Sequence, residues 1–498
     1  MTLARSLGPL DAAAVIISNV IGVGIFTVPG IVAQMVPSPL LMLAAWLAGG
    51  LLAFAGANAY AELAARRPRA GGEYVYLREG FGPLAAFLTG WTSFVAGFSG
   101  AIAAGAVGFA EYLGRYSPVA ADSTPLVSLP LYVVTLEFSP RALVALVVLL
   151  VISAVHMRGL GPGRYMQNTL TALKLLALLA LIGFGFALGT GSFSHFAAAP
   201  AGLRPRPEIS GWLLALIPVM FTYSGWNAAA YLAEEIREPG RNVPRSLALG
   251  TAAVVALYLL LNVLYLYALP GEKLAGTIRA ADVAAEALFG ARGAQFLTPL
   301  ILVGLAGSIS AMILAGPRVY FAMARDGLFP GAAARVHPRF QTPATAIAAQ
   351  TLWSALLVLT GTFEQLLLYT GFAVVLFSGL AVLALFLIRR RQEAPKGRQK
   401  IAQGVSPGND SAAAGRTSLP QADAEGEGPE RHREGVPPDA ESKPFRCWGY
   451  PVAPAIFVLA SLAMCVNAIQ RDPRPSLAGL AVMAAGLPVY WWFRRKKT

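Results

Sequence analysis

The stretch S-N-V-I-G-V-G-I-F-T-V-P-G at residues 18–30 decides how this chain is read. It interrupts an apolar segment with Gly22, Gly24, Pro29 and Gly30, residue types that weaken a helix the flanking sequence would otherwise sustain. A second interruption, F-T-Y-S-G-W-N at residues 221–227, lies about halfway along the apolar part of the chain. Within a bilayer an unwound turn frees backbone donors and acceptors that hydrocarbon cannot satisfy. Two such breaks in corresponding positions of two halves therefore point to a solute site at mid-membrane depth.

The rest of the sequence supplies the membrane. Of 498 residues, 56% are hydrophobic and 13% charged, with a mean hydropathy of +0.58. Soluble domains carry about 25% charged residues, so the expected class is an all-α integral membrane protein. Twelve apolar runs between residues 11 and 493 are each long enough to cross a hydrocarbon core. The first run is long, lacks a favourable small-residue cleavage pattern and is followed at once by another, so it is read as retained. The two cysteines, Cys447 and Cys465, form neither a disulfide framework nor a zinc spacing.

The net charge of +13 would suggest nucleic acid in a soluble protein. Here it reads as orientation. With both termini cytoplasmic and residues 389–449 set aside, the inner side carries 18 Lys and Arg and the outer side 9. No nucleic-acid partner is expected; membrane lipid is.

The first ten runs divide into two sets of five, residues 11–188 and 211–388, each opening with a broken helix. Five is odd, so the second set enters from the opposite side, the arithmetic of an inverted repeat. Residues 1–10 read as a cytoplasmic N-terminus, 389–449 as a disordered polar linker, 450–493 as helices eleven and twelve, and 494–498 as a basic tail. Residues 113–140 read as an outer loop and 276–289 as a short amphipathic outer helix.

At each break the second half-helix presents free N–H groups, which suit a carboxylate. The first half presents free carbonyls, which suit an ammonium. A zwitterion fits both without a charged side chain. Gly22, Val23 and Gly24 form the first break; Phe221, Ser224, Gly225 and Asn227 belong to the second. The aromatic residues there also read as ordinary packing, but Asn227 at that depth needs a partner.

Lys174 is the one basic residue clearly within a span, about 13 Å along its helix from Tyr165 at 1.5 Å per residue. Its stem could snorkel to the interface. Alternatively, its ammonium ties the first and eighth spans together where a sodium ion would otherwise sit, with Ser308 and Ser310 as polar neighbours. No Asp or Glu falls near the middle of a span, and Glu62, Glu111, Glu234 and Glu235 read as solvated at span ends. A cationic substrate would need a pocket carboxylate, so a neutral one is expected. His156 and His195 lie near span ends without a partner at catalytic spacing; no enzyme, metal or cofactor is expected.

Several stretches together resemble the amino acid, polyamine and organocation transporter superfamily, closest to the L-type amino acid transporter branch and its bacterial relatives. They are I-G-V-G-I-F-T-V-P-G (21–30), G-G-E-Y-V-Y-L (71–77), T-A-L-K-L-L-A (171–177), F-T-Y-S-G-W-N (221–227), E-E-I-R-E-P-G-R-N-V-P-R (234–245), P-R-V-Y-F-A-M-A-R-D-G-L-F-P (317–330) and P-F-R-C-W-G-Y-P (444–451).

The resemblance implies a LeuT-type fold of twelve helices, sodium independence and substrate held by backbone. Val23, Gly24 and Ile25 would meet the carboxylate. Val20, Phe221 and Ser224 would offer carbonyls to the amine, with Phe221 also an outer gate, and Lys174 would link occupancy to conformation. Val23 replaces the usual hydroxyl residue, and Ser224 replaces the first glycine of G-G-W, which narrows the pocket. Residues 113–140 hold no cysteine, so no disulfide-linked ancillary subunit is expected.

The expected activity is alternating-access transport of neutral L-amino acids. Exchange, uniport and proton symport remain open. An amino acid sensor and a proton-coupled amine or polyamine permease are the alternatives.

Overall fold

In a computed structural model, the structure describes residues 3–36, 38–131, 135–197, 209–277, 279–295, 297–360, 363–404, 445–471 and 473–495. The first crossing is a bent pair, α1 (Pro9–Val20) and α2 (Gly24–Met35), meeting at 45°. The long helices α3 (Pro39–Arg66), α5 (Pro83–Leu113), α6 (Pro140–Met157) and α7 (Leu160–Leu188) follow. A shorter α4 (Glu73–Phe81) stands between α3 and α5.

The second half opens with α8 (Ile209–Thr222) and the one-turn α9 (Ala228–Tyr231), separated by residues 223–227. Next come α10 (Pro239–Ala268), α11 (Ala280–Gln295), α12 (Thr298–Arg325), α13 (Ala344–Leu359) and α14 (Phe363–Gly404). The chain closes with α15 (Val452–Arg471), α16 (Pro473–Ala484) and α17 (Gly486–Arg495). Among the described residues, nine helical segments are long and apolar enough to cross a membrane, ten with the bent pair; Gly211–Thr222 and Ala344–Leu359 are shorter apolar helices.

Burial sorts these helices. In α12, 72% of the apolar window is buried, so it is a central pillar; in α6 the share is 33%. Exposed Leu143, Val147, Leu150 and Val151 recur at helical spacing along α6, as expected of a lipid-facing stripe. At one end, α2 packs against α8, α11 and the turn Gly271–Leu274. There Gly276 N–H donates to Gly30 O at 2.9 Å, and a Cβ on Gly30 would stand 2.1 Å from Thr277 O.

At the other end, Leu7 pairs with Ile236 in a parallel bridge, which docks the N-terminal segment under α9. Beside it Arg318 makes a two-toothed ion pair with Glu235, at 2.7 and 3.1 Å, with each side chain only 1% exposed.

Several expectations are corrected. Residues 113–140 are more than loop: β1 (Val127–Pro130) and β2 (Thr135–Phe138) form an antiparallel hairpin, with Val127 opposite Phe138, a local pairing that the prolines of this segment masked. Helix α14 runs to Gly404, past the expected boundary at Ile388, although residues 389–404 include the helix-weakening Pro395 and Gly397.

The linker's far end is docked. Cys447 N–H donates to Glu62 Oε2 at 2.7 Å, and Asn58 exchanges bonds with Trp448. The linker's middle, residues 405–444, lies outside the described residues. Glu62 and Glu235 are not solvated. Glu62 is fully buried between Arg66 and Arg389, and both glutamates are compensated by guanidinium forks.

Removing one member of a buried ion pair strands the other charge. Glu235→Ala is expected to cost about 3–5 kcal/mol, read as a lowered unfolding midpoint of the detergent-solubilised protein. An unchanged midpoint would show that the pair contributes no net stability.

Candidate functional site

The first break is built by close approach as much as by helix weakness. A Cβ on Gly22 would lie 3.0 Å from Ser308 Oγ, and one on Gly24 3.0 Å from Thr222. These glycines press the break against α12 and α8. In the second break Gly225 has φ +101°, a conformation L side chains rarely adopt, and a Cβ there would meet Asn19 Nδ2 at 2.5 Å. The two breaks therefore touch each other, through Gly225 and Asn19.

Lys174 does not snorkel. Its side chain is 1% exposed, and Nζ donates to Ser18 O at 3.0 Å, Ser18 Oγ at 3.3 Å and Ile21 O at 2.5 Å. Two of these acceptors are carbonyls at the C-terminal end of α1, where the helix dipole is negative and the backbone has run out of helical donors. The stem passes Gly304 and Gly307 of α12; a Cβ on Gly307 would come within 3.4 Å of Lys174 Cε. Those two glycines were not singled out from the sequence.

Of the two serines, Ser308 faces the first break and Ser310 faces away. Ser310 Oγ bonds His156 Nε2 at 2.9 Å, which also gives His156 the partner it was expected to lack. Residues two apart on a helix point in nearly opposite directions, so the pair could not serve one site.

Two of the three carbonyls expected to receive an amine, those of Val20 and Phe221, already hold bonds. Val20 O accepts from the Tyr258 hydroxyl and from Gly22 N–H, each at 2.8 Å. Phe221 O accepts from Ser224 N–H at 2.9 Å and keeps a second lone pair. The Tyr258 hydroxyl also lies 3.2 Å from Thr222 O, so one side chain bridges the ends of both first half-helices.

A cavity of about 100 Å³ lies beside the two breaks. Phe221, Ser224, Gly225 and Asn227 line it, joined by Asn19 from the end of α1. Val20, Gly22, Val23, Gly24 and Ile25 are not among its lining residues; they pack the break. The rest of the wall was missed: polar groups from Thr89, Thr92, Ser93, Glu73 and Tyr231 beside an apolar surface that includes Phe98, Ala101, Met312 and Phe377.

Glu73 overturns the premise that no carboxylate faces the pocket. Gly71 and Gly72, at φ +112° and +50°, turn the chain after α3 so that α4 begins buried against α14. Neither position accepts a side chain: a Cβ would lie 2.8 Å from Ala322 and 2.6 Å from Tyr231. Glu73 Oε1 accepts from the Tyr60 hydroxyl at 2.6 Å, Asn227 Nδ2 at 2.7 Å and Ser378 Oγ at 3.3 Å. Burial pushes its carboxyl above the usual range, and these hydrogen bonds pull it back. Asn227, the costly polar residue of the second break, thus finds its partner here.

A family model described as an amino acid permease matches residues 7–491. The serine/threonine exchanger SteT of Bacillus subtilis (strain 168) is 29% identical over 398 residues, 79% of this chain and 85% of its own length. The large neutral amino acids transporter small subunit 2 of Mus musculus is 29% identical over 395 residues, 78% of this chain and 71% of its own. The b(0,+)-type amino acid transporter 1 of Homo sapiens is 30% identical over 397 residues, 78% and 77% respectively.

The contact between the breaks makes a stability prediction. Gly225→Ala is expected to cost at least about 1–2 kcal/mol from the positive φ alone, before the clash with Asn19. Gly211→Ala, where an added Cβ meets nothing within 4 Å, is expected to leave the unfolding midpoint of the purified protein unchanged or raised. Equal midpoints for the two variants would contradict the reading of Gly225.

Proposed function

Because the chain belongs to the amino acid permease family, on the branch of the L-type transporters and their bacterial relatives, we propose that it moves neutral L-amino acids across the cell membrane by alternating access, without sodium. The observation that carries this reading is the pinned break. An ammonium from α7 is fixed on carbonyls at the end of α1, beside a small cavity that touches both interrupted helices.

The proposed architecture is twelve crossings with a five-plus-five inverted repeat and both termini cytoplasmic. The short apolar helices Gly211–Thr222 and Ala344–Leu359 supply the two further crossings beyond the ten that meet the length criterion. In this frame the outer end is the one sealed by Gly30, Gly276 and Thr277. The inner end is the one joined by Leu7, Ile236 and the Arg318–Glu235 pair.

Transport requires the two ends to open in turn. The elements that carry the breaks must then shift against α5 and α12, and the contacts that resist this are those made by Lys174, Glu73 and Arg318. Substrate at the unwound turns replaces bonds that hydrocarbon cannot offer, which favours the closed arrangement around it.

Sodium independence rests on Lys174. A fixed positive charge at the carbonyls of Ser18 and Ile21 repels a second cation there. A neutral substrate is supported by the mainly apolar lining of the cavity, with Phe98, Ala101, Met312, Val374 and Phe377 among it. No disulfide-linked ancillary subunit is proposed, since residues 113–140 contain no cysteine.

Uptake of radiolabelled neutral amino acids into proteoliposomes tests the reading, with and without internal amino acid and with an imposed pH gradient. Stimulation by internal amino acid identifies exchange, and stimulation by the gradient identifies proton symport. Failure to move or bind any amino acid contradicts the proposal. Lys174→Ala is expected to lower uptake by at least about tenfold, from the lost charge-assisted bonds, while the protein still reaches the membrane. Wild-type kinetics in that variant would remove Lys174 from the mechanism.

A further inference from the structure

Four arginines converge at the end of the molecule that holds the N-terminal segment. Arg158 closes α6, Arg164 lies in the first turns of α7, Arg237 follows the Leu7–Ile236 bridge, and Arg339 stands in the connection between α12 and α13. All four line one open cavity of about 470 Å³, and no Asp or Glu lines it. Arg164 has a carboxylate neighbour, Asp11 at 3.8 Å, and donates to Ser6 O at 3.2 Å. Among the described residues, Arg158, Arg237 and Arg339 make no ion pair; Arg339 rests over the Phe340 ring at 5.7 Å.

The pieces that carry these side chains are fixed to one another. Thr342 Oγ1 donates to Met157 O at 3.2 Å, which seats the α12–α13 connection beside Arg158. His337 N–H donates to Thr342 O at 2.8 Å, and His337 Nδ1 accepts from the N–H groups of Arg339 and Phe340 at 3.3 and 3.2 Å. Arg237 N–H donates to Leu7 O at 2.9 Å. Like charges held together repel, and nothing in the lining offsets them. Arginines that only mark orientation need not gather from three parts of the chain into one cavity.

The cavity also stands where lipid ends. Val147, Val151, Ala154 and Arg158 succeed one another at helical spacing along an exposed side of α6, and Tyr165, Leu173 and Leu176 do so along α7. An anionic headgroup at that level reaches the guanidiniums while its acyl chains lie along these rows.

We propose that this cavity binds a phosphate-bearing anion, with the guanidiniums of Arg158, Arg237 and Arg339 donating to its oxygens. Guanidinium forks match phosphate oxygens two at a time, which a halide counter-ion does not satisfy. The bound phosphate ties residue 237 to the end of α6 and to the α12–α13 connection. The proposal is independent of which solute the chain moves. The phosphate belongs either to a lipid headgroup or to a soluble compound, and the test separates the two.

Binding is measured on the full-length protein in detergent, by native mass spectrometry with phosphatidic acid or phosphatidylcholine and by isothermal titration calorimetry with pyrophosphate. Phosphatidic acid is expected to bind at least about tenfold more tightly than phosphatidylcholine. Arg158→Gln combined with Arg339→Gln is expected to lower affinity at least about tenfold, and Arg237→Gln at least about threefold, from lost bonds between charged groups. Arg69→Gln combined with Arg390→Gln removes two exposed arginines outside the cavity and is expected to keep the wild-type affinity.

Binding that is lost in the cavity variants supports the site: with phosphatidic acid alone it identifies a lipid headgroup, with pyrophosphate alone a soluble phosphate, and with both a site open to either. Failure of both probes to bind overturns the proposal, as does an affinity unmoved by the paired substitution at Arg158 and Arg339 or by Arg237→Gln. An equal loss in the Arg69 and Arg390 variant assigns binding to diffuse positive charge and overturns it too.

Discussion

The structure depends on one ammonium group. Breaking the first crossing leaves the carbonyls at the end of α1 without helical donors, in a region where water cannot replace them. Lys174 reaches them from α7 and brings N–H donors to the negative end of a helix dipole. Each problem answers the other, since a buried cation needs acceptors and buried carbonyls need donors. The contact is possible only because Gly304 and Gly307 let the lysine stem run along α12. Three crossings are thereby tied at one point beside the cavity.

The second break is held by different means. Gly225 lies against Asn19, Tyr258 spans the carbonyls of Val20 and Thr222, and Asn227 is tied to Glu73. The first break is thus fixed by a charge on its carbonyls, and the second by a carboxylate that receives its side-chain amide. Glu73 in turn collects donors from α3 and α14. A movement of α9 away from α4 must replace the Asn227 bond or leave a buried carboxylate short of a donor, which couples the cavity to the packing of four elements.

Much of this was legible in the sequence where the cause is local. Glycine in G-V-G and S-G-W weakens a helix whatever surrounds it, so breaks were expected around residues 22–24 and at 221–227. A lysine in T-A-L-K-L-L-A stands out against its apolar neighbours, and only its direction was open. The serine pair was misjudged, though helix phase alone separates Ser308 from Ser310 by about 200°.

What stayed hidden depends on tertiary turns. Glu73 follows R-R-P-R-A-G-G, which reads as a solvated loop. Its burial is produced by two glycines with positive φ that send α4 inward, and nothing within the loop shows which way it turns. The buried pairing of Glu62 with Arg389 is long-range in the same sense. The first-break residues also show that a motif can locate a site without lining it.

The central claim is that a fixed lysine charge stands where a soluble cation would otherwise hold the broken helix. The most direct measurement is initial uptake of a transported amino acid into proteoliposomes as external sodium is replaced by choline at constant ionic strength. The account predicts the same rate at every sodium concentration, because Lys174 already occupies the carbonyls of Ser18 and Ile21. Uptake that rises and saturates with sodium would contradict it.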